Sequence, residues 1–245
     1  MLRLLSAALF ACTAVGAAVA ADFLEKTSAD GTSYVLLQGR IDEGDTERLE
    51  QLLLSGKIDS RTIAFNSPGG SLWEGVLMGR ILRYRGFSTY VRPGEECVSA
   101  CLFAFMGGEQ RFVYPKGELG GHQFYGGNER STSQGFTQFS TSELFKFARE
   151  MGVSSEVIEI SSSTSPDNMH IFTPDELRRF KLSVPHKQVP FQDREARRLN
   201  IRPAEYAKRW KAFLHSDRSR CDAIDDDIQR GTCVFLIMDA HGVPR

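Results

Sequence analysis

The stretch from Thr62 to Val91 constrains the fold more than any other part of this chain. Thr62-Ile63-Ala64-Phe65 is a short apolar run, the pattern of a buried strand. It runs straight into Asn66-Ser67-Pro68-Gly69-Gly70, and Ser71-Leu72-Trp73-Glu74 then has the Ser-x-x-Glu form of a capping box. Leu72, Val76, Leu77, Ile81 and Tyr84 fall on one stripe of the helix this opens, with Arg80, Arg83 and Arg85 expected to face water and Gly86 to end it. Ser88-Thr89-Tyr90-Val91 is the next strand. A strand, a helix and a second strand in this order form a crossover, which joins parallel strands.

The same alternation extends in both directions. Tyr34-Val35-Leu36-Leu37 reads as a buried strand ending at Gly39, and Glu43 to Ser55 as a helix with Leu49, Leu52 and Leu53 on one face and Gly56 as its stop. Ser99 to Met106 is apolar almost all round, so it is expected to be a short buried helix closed by Gly107-Gly108. Arg111 to Tyr114 and Leu119 to Phe124 are strand candidates. Thr141 to Met151, Ser154 to Ser162, a segment opening at Thr173-Pro174 and Pro203 to Leu214 are helix candidates. After Pro190 the texture becomes charged and Arg-rich, with a last apolar strand expected at Cys233 to Met238. The expected organisation is residues 1–20 as a leader, 21–189 as an α/β domain with a largely parallel sheet, and 190–245 as a C-terminal extension.

The leader reading rests on Met1-Leu2-Arg3 as a positive start, an apolar run from Leu4 to Val15, and the small residues Ala18-Val19-Ala20 before a cut at Ala21 or Asp22. The run is too short and Ala-rich for a good spanning helix. Cys12 sits in a poor lipoprotein context because Phe10 is bulky and the apolar run continues past it. The expectation is therefore a periplasmic or secreted chain with no membrane segment after processing. A formal charge of −1 gives no reason to expect nucleic acid as a partner.

Removing the leader leaves Cys97, Cys101, Cys221 and Cys233, an even number suited to disulfides in an oxidising compartment. Cys221 and Cys233 enclose a short polar loop and are the first choice of pair. Cys97 and Cys101 can bridge across a turn, though the spacing is tight. The same spacings suit zinc poorly, so no metal is expected.

The chemistry concentrates at three places. Paired glycines after a strand let the backbone approach a ligand, and a peptide N–H there can face a developing oxyanion; Pro-Gly-Gly also describes an ordinary turn. Ser99, at the start of the buried helix, can expose its hydroxyl at a strand-to-helix bend with the Ala100 N–H at the positive helix end, or can simply cap that helix. His122 closes a strand candidate, where a base can reach a nucleophile on the same sheet edge; a strand histidine is also often structural.

Taken together, Asn66-Ser67-Pro68-Gly69-Gly70, the Ser99 segment, and Gly121-His122-Gln123 followed by Gly126-Gly127 resemble the proteolytic subunit of the Clp protease, in the crotonase-like superfamily. The resemblance covers about residues 34–185. It implies a stacked β-β-α superhelix, here with a small helical, cysteine-containing extension, and assembly into homo-oligomeric rings. It further implies a peptide or unfolded protein as substrate, Ser99 as nucleophile, His122 as general base, and the Gly70 and Ala100 N–H groups as oxyanion hole. The family's triad acid falls near Asp167, Asn168 or Met169, with His170 as a local alternative. A leader sets this chain apart from cytoplasmic ATP-driven unfoldases. Lys116 and Lys146 are poorly placed for the serine–lysine dyad of related peptidases, and no paired carboxylates suggest a coenzyme A site, so no cofactor is expected. The rival expectation is an inactive protein of this fold that binds peptides or assembles with partners.

Overall fold

A computed structural model describes residues 21–28, 33–56, 58, 60–123, 134–183, 196, 199–224 and 227–243. The leader with Cys12, the pair Gly126-Gly127 and the boundary near residue 190 lie outside the described residues.

Strands β1 (Asp22–Thr27), β2 (Ser33–Gln38), β3 (Thr62–Asn66), β4 (Ser88–Val91) and β6 (Arg111–Val113) form one sheet in the order β1-β2-β3-β4-β6. Only the β1–β2 pair is antiparallel; β2 through β6 run parallel. Strands β5 (Glu96–Val98), β7 (Glu118–Gly121) and β8 (His170–Ile171) form a smaller sheet in the order β5-β7-β8. Helices α1 (Asp45–Leu54), α2 (Leu72–Tyr84), α3 (Ala100–Met106) and α4 (Gln134–Glu150) are interleaved with these strands. β4-β5-α3 and β6-β7-α4 are therefore successive β-β-α units, each placing its first strand in the large sheet and its second in the small one. The expected α/β class and the stacked β-β-α arrangement are both present. Strand β1 had no counterpart in the sequence reading. DFLEKT shows no clean alternation, and it is the outermost strand of its sheet, where little burial pattern is imposed.

Helices α5 (Glu156–Ser163) and α6 (Pro174–Arg179) follow, the latter opened by a complete capping box from Thr173 and Glu176. Beyond them lie α7 (Pro203–Leu214), α8 (Ser219–Asp222) and α9 (Asp227–Ala240). The strand expected at Cys233 to Met238 is thus a helix. Val234, Phe235, Ile237 and Met238 are buried and Leu236 is exposed, a helical rather than alternating pattern that a short apolar run conceals. The Cys221–Cys233 disulfide forms, but it joins α8 to α9 instead of closing a plain loop.

A second departure lies in the arginines of α2. Arg80 and Arg83, expected in water, are each only 1% exposed. One side of α2 lies against α3, where a Cβ on Gly75 or Gly79 would sit 2.3 Å from the Ala100 carbonyl oxygen or 2.5 Å from that of Phe103. Its other side is covered by α7 and α9: Tyr84 stacks on Trp210 and Trp73 meets Phe235 edge-on. A helix covered on two sides has no free polar face, so its arginines find internal partners. Arg80 pairs with Glu150 at 3.0 Å, and Arg83 reaches the carbonyls at the end of α3.

The capping box at Ser71 is half formed. Ser71 Oγ accepts from the Glu74 N–H, but the Glu74 carboxylate accepts from the backbone N–H groups of Thr46 (2.8 Å) and Gly44 (3.2 Å), capping α1. Burial outweighs these bonds and raises the Glu74 pKa above the usual carboxylate value. The folded protein therefore holds this proton more tightly than the unfolded chain. Stability is favoured while Glu74 is protonated and declines as pH rises from the ordinary carboxylate value through the raised one. Relative to Glu74→Gln, the wild type is expected to lose unfolding free energy between pH 4 and pH 7 in urea titrations. A difference that stays flat across that range would contradict the raised pKa.

Candidate active site

The Gly pair, Ser99 and His122 converge because two parallel strands end together. In the β5–β7 pair Val98 lies opposite Gly120, so the next residues, Ser99 and Gly121, emerge side by side at the carboxyl ends, with His122 one position further. The Ser99 N–H donates to the Gly120 carbonyl at 3.1 Å. Ser99 Oγ lies 2.8 Å from His122 Nε2, and both side chains are partly accessible.

Ser99 is not an ordinary helix cap: it makes no capping hydrogen bond, and its backbone stands at φ 57, ψ −126. For a residue with a Cβ this region is sparsely populated and costs on the order of 1–3 kcal/mol. The strain aims the hydroxyl at His122 instead of at the N–H groups of α3.

The glycine turn is held against this bend. Ile41 N–H donates to the Gly69 carbonyl and Ser71 N–H to the Ile41 carbonyl, both at 2.8 Å, gripping the chain on either side of Gly70. Ser67 links the turn to β5: its N–H donates to Glu96, its carbonyl accepts from Val98, and its Oγ accepts from Gly69 N–H at 3.1 Å. A Cβ on Gly69 would lie 2.6 Å from the Val98 oxygen and 2.7 Å from both Ala100 N and Ser99 Cβ, so only glycine lets the turn approach the serine this closely. Among the described residues neither the Gly70 N–H nor the Ala100 N–H forms a hydrogen bond, and Ala100 is the first residue of α3, where the amide has no intrahelical partner.

The Cys97–Cys101 disulfide spans this bend. Lys116 sits exposed in the turn between β6 and β7, and Lys146 is paired with Glu143 on α4. Neither is hydrogen-bonded to Ser99.

Asp167 and Asn168 are not brought to His122. Both are exposed in the turn before β8, and the buried His122 Nδ1 has no hydrogen-bond partner among the described residues. The β7–β8 register pairs Gly121 with His170. Continuing it by one residue sets Met169, not a carboxylate, across from His122, and Asp167 has by then left the sheet. His170 itself bonds Glu176 at 3.1 Å. Sequence reasoning missed Ser67 and Ile41 as the residues that shape the turn. The Ser-Pro-Gly spacing of a serine-stabilised turn was the available signal for Ser67. Ile41 had none, because its part is played by backbone atoms.

No protein-family model matches the chain, and no curated protein matches it. Among solved structures it is similar to ClpP1 from Listeria monocytogenes, at 19% identity over 62% of this chain and 91% of that one, with a TM-score of 0.48. It is also similar to a mutant of the 1510-N membrane-bound stomatin-specific protease, at 14% identity over 63% and 78% of the two chains, with a TM-score of 0.47. A second mutant of that protease, in complex with a substrate peptide, shows the same identity and TM-score over 64% and 76%.

Proposed function

We propose that this chain is an exported serine peptidase that cleaves peptide bonds through a Ser99–His122 dyad, without an ATPase partner. The observation that carries the reading is the 2.8 Å approach of Ser99 Oγ to His122 Nε2 from a strained strand-to-helix bend, beside two unengaged N–H groups. Export is supported by the sequence of residues 1–20 and by two disulfides, which persist in oxidising compartments. Among the described residues no helix is long and apolar enough to cross a membrane.

In the proposed reaction the Ser99 hydroxyl passes its proton to His122 Nε2 as Oγ bonds to the peptide carbonyl carbon. The oxyanion forms against the N–H groups of Gly70 and Ala100. Collapse breaks the C–N bond, and the departing amine takes the proton from Nε2. Water then gives a proton to Nε2 and its oxygen attacks the acyl carbon. Ser99 leaves by taking that proton back.

One observation favours a second reading, an inactive peptide-binding protein: nothing among the described residues accepts a hydrogen bond from Nδ1 to stabilise an imidazolium. A fluorophosphonate probe separates the two. The peptidase reading expects covalent labelling of the wild type that disappears in Ser99→Ala while the folded state survives. Absence of Ser99-dependent labelling would leave the binding protein.

A further inference from the structure

We infer that the Cys97–Cys101 disulfide is a positioning element for Ser99, holding its backbone in the conformation that presents the hydroxyl to His122. The inference rests on the peptidase reading above.

Cys97 lies in β5 and Cys101 in α3, so the bridge spans only Val98, Ser99 and Ala100, and both cysteines are fully buried. Each end is fixed to a different rigid part. Cys97 forms a bridge pair with Ser67 of the glycine turn, and α3 is seated on α2 through the Gly75 and Gly79 contacts. Between these anchors Ser99 stands at φ 57, ψ −126, a conformation that an L residue leaves unless its surroundings hold it. Relaxation of that bend would swing Oγ away from Nε2 and tilt the Ala100 N–H together with it. The backbone hydrogen bonds holding Ser99 are its own N–H to Gly120 and that of Leu102 to its carbonyl. The disulfide adds a covalent limit to how far the two anchors can separate.

Loop length separates this role from general stabilisation. A bridge restrains the unfolded chain more as its loop lengthens. The Cys97–Cys101 bridge has a sequence separation of 4, against 12 for Cys221–Cys233, so it contributes the less of the two through the unfolded state. Its main effect is local, at the residue that carries the hydroxyl. Full burial of both cysteines also argues against a thiol-exchange role, which needs access.

The test compares Cys97→Ala/Cys101→Ala and the space-filling Cys97→Val/Cys101→Ala with the wild type and with Cys221→Ala/Cys233→Ala. Thermal unfolding is measured alongside the rate of fluorophosphonate labelling and the kcat and KM for a peptide substrate. Loss of the first bridge is expected to lower kcat and the labelling rate at least tenfold with KM changed less than about threefold, in protein that remains folded. Loss of the second bridge is expected to lower Tm by as much or more and leave kcat within about twofold. Three results would overturn the inference: unchanged labelling in both Cys97/Cys101 variants, an equal loss of kcat in the Cys221/Cys233 variant, or failure of both Cys97/Cys101 variants to fold, since the bridge would then be globally structural. A wild type that shows no Ser99-dependent labelling would instead remove the peptidase reading, and this inference with it.

Discussion

Replacing His122 with alanine is expected to lower kcat/KM for a peptide substrate by at least ~10⁴-fold, with Ser99→Ala at a similar level and the double variant no lower than either single one. The reason is that in the proposed reaction the two residues perform one proton transfer, across a single 2.8 Å contact. Once either is gone, the other has nothing to do, so their losses cannot add. A 10⁴-fold loss corresponds to about 5.5 kcal/mol of transition-state stabilisation, the scale expected of a nucleophile and its base acting as a unit. The residual rate in these variants would report what Gly70 and Ala100 contribute on their own. Asp167→Ala and Asn168→Ala are expected to change kcat by less than about threefold, because both side chains are exposed and neither reaches Nδ1. Additive losses for Ser99 and His122 would show that the contact is not a reacting pair. A large loss for Asp167→Ala would show that the turn before β8 folds inward when substrate binds.

Much of this arrangement was legible in the sequence, and the reason differs by element. The β3–turn–α2 unit announced itself because its signals are local: an apolar run, a Pro-Gly-Gly break and a serine cap follow one another within one stretch of chain. Ser99 and His122 were legible as residues at element ends. Their meeting depends on the parallel β5–β7 register, which no local pattern specifies. What stands opposite His122 was not legible, because that residue is chosen by how β8 pairs with β7, and a two-residue strand carries almost no pattern. The fate of the α2 arginines was hidden for a related reason. Amphipathic spacing identifies one buried stripe, and it cannot say that α3 and α4 will close over the arginines outside it. The C-terminal helix α9 was hidden because a short apolar run such as Cys233 to Met238 shows no period that separates strand from helix.

Arg83→Met is expected to lower the unfolding free energy by about 3–5 kcal/mol, a large share of the roughly 5–15 kcal/mol that holds most domains folded. Arg83 is 1% exposed and donates to four carbonyl oxygens: Gly107 at 2.7 Å, Gly108 at 2.6 Å, and Met106 and Met151 at 3.1 Å. Three of these four acceptors are shared, because Arg111, fully buried in β6, donates to Met106, Gly108 and Met151 and also to Lys181. The two guanidiniums thus close the carboxyl end of α3, where carbonyls lack intrahelical partners and the helix dipole favours positive charge. Methionine fills a comparable volume but leaves buried carbonyls short of donors, a cost that packing does not recover. The shared acceptors make a specific forecast for Arg111→Met: in a double-mutant cycle the two substitutions should deviate from additivity by at least about 1 kcal/mol. Because Ser99 stands at the opposite end of the same short helix, a loosened α3 should also slow labelling of Ser99 under conditions where the variant is still folded. Urea titration of the four proteins in the cycle measures the first effect and probe kinetics the second. Additive losses below about 1 kcal/mol each would mean that the carbonyls are satisfied without the arginines, and that α3 is held by its contact with α2 alone.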